Sequence, residues 1–154
     1  VTIKNFKLLF IFSCTSFCIT TYAQSVVSND FDSCKVFAIS YSAMYRMRIY
    51  PENLIYDFND TSFIVDKASA EKVLNVIYTF QTRIVKQDNN KPFQNMYRVD
   101  YRLLFLFYKE QKINLVGFGA NGLMAINDTV YKFDKNILKT LTTVIPGLKP
   151  TIRL

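Results

Sequence analysis

The segment from Tyr97 to Phe107 limits what this chain can fold into more than any other. It alternates through Tyr97-Arg98-Val99-Asp100-Tyr101-Arg102 and is then apolar at every position through Leu103-Leu104-Phe105-Leu106-Phe107. Successive side chains of a strand point to opposite faces, so the first half suits a sheet with one wet face and the second half has to be covered. A strand of this kind belongs at the centre of its sheet. Lys109-Glu110-Gln111-Lys112 is a short polar connection, so Ile113 to Phe118 is expected to return antiparallel. Asn121-Gly122 supplies the next turn, because this pair accepts the positive φ values that hairpins require. Leu123 to Ile126 and Thr129 to Phe133 complete a four-strand meander around Asn127-Asp128.

Two amphipathic helices flank the meander. Asp66 is placed to cap a helix over 67–85, in which Val73, Leu74, Ile77, Phe80 and Ile84 recur at spacings of three and four. Asp134 opens a second helix that turns Ile137, Leu138, Leu141, Val144 and Ile145 to one side until Pro146-Gly147 stops it. Residues 86–96 read as a surface loop. Upstream, Cys34 to Ser42 reads as a strand, and Met44 to Tyr50 as a second one with Tyr45, Met47 and Ile49 on one face and Arg46 and Arg48 on the other. Leu54 to Phe58 and Ser62 to Val65 read as short strands, although Pro51 could equally open a short helix. The expected fold is α+β: an antiparallel sheet, made of a strand pair and then the four-strand meander, packed by two helices on one face.

The N-terminus carries the marks of an export signal. Lys4 and Lys7 precede an apolar run from Leu8 to Ile19, which Ser13, Thr15 and Ser16 interrupt, and Thr21 and Ala23 place small residues before Gln24. The run falls short of the roughly 20 apolar residues of a spanning helix. Residues 1–23 are therefore expected to be a removable signal, 24–33 a flexible lead-in and 34–154 a single α+β domain, secreted or periplasmic. Phe12 and Phe17, close to Cys14 and Cys18, suit lipidation poorly. Once the signal is removed Cys34 is the only thiol, so no internal disulfide can form. Its apolar neighbours mark it as a small buried hydrophobe.

The chain has no histidine and no tryptophan. That excludes serine and cysteine triads built on histidine, histidine proton shuttles and histidine-containing zinc sites. Gly117-Phe118-Gly119-Ala120-Asn121-Gly122 matches the dinucleotide-binding glycine pattern, but neither a helix nor a parallel crossover follows, so its glycines read as turn residues. Asp57, Asn59 and Asp60 lack the central glycine and closing glutamate of a calcium loop. No cofactor and no metal are expected. Glu52, Asp57 and Asp100 would be the acids of an enzyme or small-ligand carrier that works through carboxylates, tyrosines and arginines, yet no spacing fixes any two of them together.

A binding role has more support. Arg46 and Arg48 share one face of their expected strand, and Arg98 and Arg102 share one face of theirs with Asp100 between them. Tyr97 and Tyr101 lie beside the second pair. Arginine and tyrosine are residues that interfaces favour, and guanidinium groups pair bidentately with carboxylates. Lys4 and Lys7 leave with the signal, so the formal net charge of +7 falls to +5 in the mature chain. The sequence thus suggests a non-enzymatic exported module whose partner is an acidic protein or an envelope glycan, with nucleic acid set aside by export. Arg46 and Arg102 are both expected to be exposed.

Overall fold

The computed structural model describes residues 27, 29–80 and 95–152, together with the backbone of residues 83–84. The expected signal at 1–23 and most of the expected loop at 86–96 lie outside these residues. Among the described residues seven strands form one sheet: β1 (Ser33–Ala38), β2 (Ser62–Val65), β3 (Arg83–Ile84), β4 (Tyr101–Lys109), β5 (Lys112–Gly119), β6 (Leu123–Ile126) and β7 (Thr129–Lys132). Their spatial order is β2-β1-β4-β5-β6-β7-β3, and every neighbouring pair is antiparallel. The helices are α1 (Pro51–Tyr56), α2 (Lys67–Thr79) and α3 (Asn136–Val144), with short 3-10 turns at Asn59–Thr61 and Pro146–Leu148. The fold is α+β, and β4 to β7 form the expected meander.

Local chemistry accounts for most of the boundaries. Asp66 accepts the Ser69 amide at 2.9 Å and caps α2. The Asp134 carboxylate accepts the Asn136 amide at 2.9 Å where α3 begins. Glu110 and Asn127 take positive φ in the β4–β5 and β6–β7 turns, and Gly122 does so at 73° in the β5–β6 turn.

One sheet face receives both long helices. Val36, Phe105, Phe118 and Met124 pack there against Val73, Leu74 and Ile77 of α2 and Ile137, Leu138 and Leu141 of α3. Both helices were expected on one face, and the opposite face is covered as well. Phe37, Leu104, Leu106, Ala125 and Val130 form a second core with Ile49, Leu54, Val99 and Tyr101. A β4 that is apolar at every position from Leu103 to Phe107 requires both layers.

Several sequence expectations are corrected. Helix α2 ends at Thr79 rather than at residue 85, because Phe80 is extended and Arg83–Ile84 pair with the free edge of β7. Met44 to Tyr50 is a loop, not a strand, since its backbone makes isolated bonds instead of a ladder. Of the two readings for Leu54 to Phe58, the short helix opened by Pro51 is the one formed, through Tyr56, and not a strand. Residues 97–99 form a turn ahead of β4. Val27 and Phe31 lie in the expected flexible lead-in but are buried, and Phe31 meets Phe107 edge-on at 5.2 Å. Gly117 and Gly119 are strand residues rather than turn residues. A Cβ on Gly117 would overlap the Tyr101 ring, and one on Gly119 would crowd Val99 and Asn121. Among the described residues no helix is long and apolar enough to cross a membrane.

Candidate functional site

The surface that combines most of the sequence-selected arginines and tyrosines is the loop 41–50 with its support, residues 95–102. The support begins at an irregularity in β4. Tyr101 faces Gly119 and Leu103 faces Phe118, so Arg102 is an extra residue on its strand. Such a bulge breaks the alternation of side chains. It puts Tyr101 in the second core, against Gly117, while Leu103 stays in the first.

Arg102 is not exposed. Only 3% of it reaches solvent. Its two Nη atoms hold the Asp100 carboxylate at 2.8 and 2.9 Å, and one of them also donates to the Tyr101 carbonyl at 2.9 Å. Its guanidinium lies 4.7 Å from the centre of the Tyr45 ring, a cation–π contact strengthened by burial. Tyr101 is fully buried, so it cannot touch a partner directly. Its hydroxyl and Arg102 Nε have no hydrogen-bond partner among the described residues. The expectation that Arg102 and Tyr101 line a surface is therefore corrected, and the bulge is the physical reason.

The Asp100–Arg102 pair anchors the loop. Asp100 Oδ1 accepts the Ile49 amide at 2.9 Å, and the Ile49 carbonyl accepts the Tyr101 amide at 3.0 Å. Ile49 itself is buried in the second core. At the other end Tyr41 donates its amide to the Thr151 carbonyl at 2.9 Å and its hydroxyl to the Gly119 carbonyl at 2.7 Å. Burial pushes the Tyr41 phenol up to about 12 and the Tyr101 phenol higher still. Asn121, in the hairpin turn, donates to the Arg98 carbonyl at 2.8 Å and so ties residues 97–100 to the meander.

Between these anchors the chain is displayed to solvent. Met44 is 100% exposed and Met47 81% exposed, with Arg46 and Arg48 exposed beside them. Arg48 donates to the Tyr97 carbonyl at 2.9 Å. Tyr97 meets Tyr50 edge-on at 5.3 Å and donates its hydroxyl to Glu52 at 3.0 Å. That carboxylate raises the Tyr97 phenol above its ordinary pKa. The sequence leaves open whether the two arginine-bearing segments are neighbours. They are, joined through a loop, a turn and the Asp100–Arg102 ion pair. Arg98 is exposed on the turn.

The three candidate acids each hold a neighbour: Asp100 binds Arg102, Asp57 Oδ2 accepts from the Asn53 side-chain Nδ2 at 2.9 Å and Glu52 accepts from the Tyr97 hydroxyl. Among the described residues no group of three histidines, cysteines, aspartates or glutamates could hold a metal ion. Reading the sequence alone missed the two exposed methionines. Two methionines interleaved with arginines ahead of a proline were the available signal. No family model, curated protein or solved structure matches this chain.

Proposed function

We propose that this protein is an exported, non-enzymatic module that docks an acidic protein through the loop 41–50, which ends at Tyr50, and the adjoining Tyr97. The observation that carries the reading is the display of Met44, Tyr45, Arg46, Met47 and Arg48 on a loop fastened at both ends. Methionine, tyrosine and arginine are enriched at protein interfaces relative to the rest of a surface. An anchored loop also loses less entropy on docking than a free one. Residues 41–50 contain two arginines and no acid, so the complementary surface is acidic. Export is supported by the basic and apolar pattern of residues 1–23.

A fluorescent random copolymer of glutamate and tyrosine serves as the probe, since it offers carboxylates and aromatic faces together. Anisotropy titrations should give saturable binding that weakens as salt rises. The Arg46→Gln/Arg48→Gln double variant should bind about tenfold more weakly, with a flatter salt dependence. An affinity unchanged by the double substitution contradicts this reading. Stronger binding to an anionic polysaccharide than to the copolymer would assign the surface to a glycan instead.

A further inference from the structure

The four methionines of the chain occupy contrasting environments. Met44 is fully exposed and Met47 nearly so, Met96 is half-buried, and Met124 is fully buried in the first core. Methionine is one of the residue types most often buried, so two of them side by side on a solvent-facing loop call for an explanation. Packing does not supply it, because neither side chain belongs to either core. We propose that Met44 and Met47 are sulfoxidation sites through which a peroxide switches the docking surface off. This inference rests on the docking role proposed for the loop.

The chemistry is a two-electron oxygen transfer. The thioether sulfur attacks one oxygen of hydrogen peroxide, a sulfur–oxygen bond forms and the oxygen–oxygen bond breaks. The departing oxygen leaves as water after proton transfer, so sulfur is oxidised and peroxide reduced. The product is methionine sulfoxide, in which a flexible apolar side chain has become polar. An interface that uses the soft thioethers for contact loses that apolar contact. The reaction needs access to sulfur, which Met44 and Met47 have and Met124 lacks. The loop anchors contain no sulfur: Asp100, Arg102 and Tyr41 are untouched by the change, so the fold should persist in the oxidised form.

Peptide mass spectrometry of the native protein during peroxide treatment tests the sites. Met44 and Met47 should each gain one oxygen about tenfold or more faster than Met124. Equal rates at the three positions would overturn the assignment. The switch is tested separately with the glutamate–tyrosine copolymer. Oxidised protein should bind it about tenfold more weakly than unoxidised protein, while peroxide should leave the Met44→Leu/Met47→Leu variant at whatever affinity it had before the treatment. Selective oxidation with unchanged affinity overturns the switch and leaves the docking role standing. Failure of the unoxidised protein to bind the copolymer overturns the docking role, and the switch with it.

Discussion

Asp100 and Arg102 form a forked ion pair, with oxygens and Nη atoms 2.8 and 2.9 Å apart, two residues from each other across a bulge in β4. The same carboxylate accepts the Ile49 amide. One buried pair thus fixes both the end of a central strand and the exposed loop that precedes α1. Burying such a pair costs desolvation, and its Coulomb gain does not always cover that cost. Its value here lies in the position it imposes on the loop.

Removing one partner should be expensive. Asp100→Asn leaves the buried Arg102 without its counter-charge and is expected to lower stability by about 3 to 5 kcal/mol, and Arg102→Gln, which strands a half-buried carboxylate, should cost less but still well above zero. Arg46→Gln, on the exposed loop, should change stability by less than about 0.5 kcal/mol. Urea unfolding of the three variants checks this. An Arg102→Gln protein as stable as the parent would contradict the buried pair.

The meander was legible because each of its signals is local. Polar turn residues separate short apolar runs, and Asn121-Gly122 suits positive φ. Both helix starts were legible for the same reason, through Asp66 and Asp134. The bulge at Arg102 was not, because inserting one residue reverses the facing of the residues before it without leaving a mark in composition. Tyr101 and Arg102 were therefore assigned to a surface they do not reach. Met44 to Ile49 alternates like a strand, yet only Ile49 is buried. Its partner, Asp100, lies 51 residues away in sequence, and periodicity cannot report so distant a contact. The second core was foreshadowed by the continuous apolar run of β4, but what would cover that face was not.

The glycines of the 117–122 segment should respond differently to substitution. Gly122→Val is expected to cost about 1 to 3 kcal/mol through strain at positive φ, whereas Gly122→Asn should cost less because asparagine tolerates that region. Gly117→Ala should destabilise by overpacking against Tyr101, by about 1 to 3 kcal/mol, and Tyr101→Leu should relieve part of that loss. Unfolding midpoints of the set distinguish turn strain from packing. Equal tolerance of valine and asparagine at position 122 would contradict the turn assignment.

Stability should fall in alkali. Burial raises the Cys34 thiol from 9.0 to about 12 and the Tyr41 phenol from 10.0 to about 12. The folded protein keeps these protons at a pH where the unfolded chain releases them, so deprotonation favours unfolding. Their contribution is fully present below pH 9 and declines as pH rises from there toward 12. The urea midpoint should be lower at about pH 11 than at about pH 8, and Cys34→Ala should reduce the difference. Thiol reagents should modify native Cys34 only on unfolding, because it is buried. Rapid labelling under native conditions would contradict its placement.

The most direct test of the docking surface is residue-resolved. The chain has four methionines, and their methyl resonances can be assigned by single Met→Leu substitutions and followed by NMR as the glutamate–tyrosine copolymer is added. The account predicts that the Met44 and Met47 methyls shift progressively to saturation while the buried Met124 methyl stays in place. Binding that leaves the Met44 and Met47 methyls unmoved would contradict it.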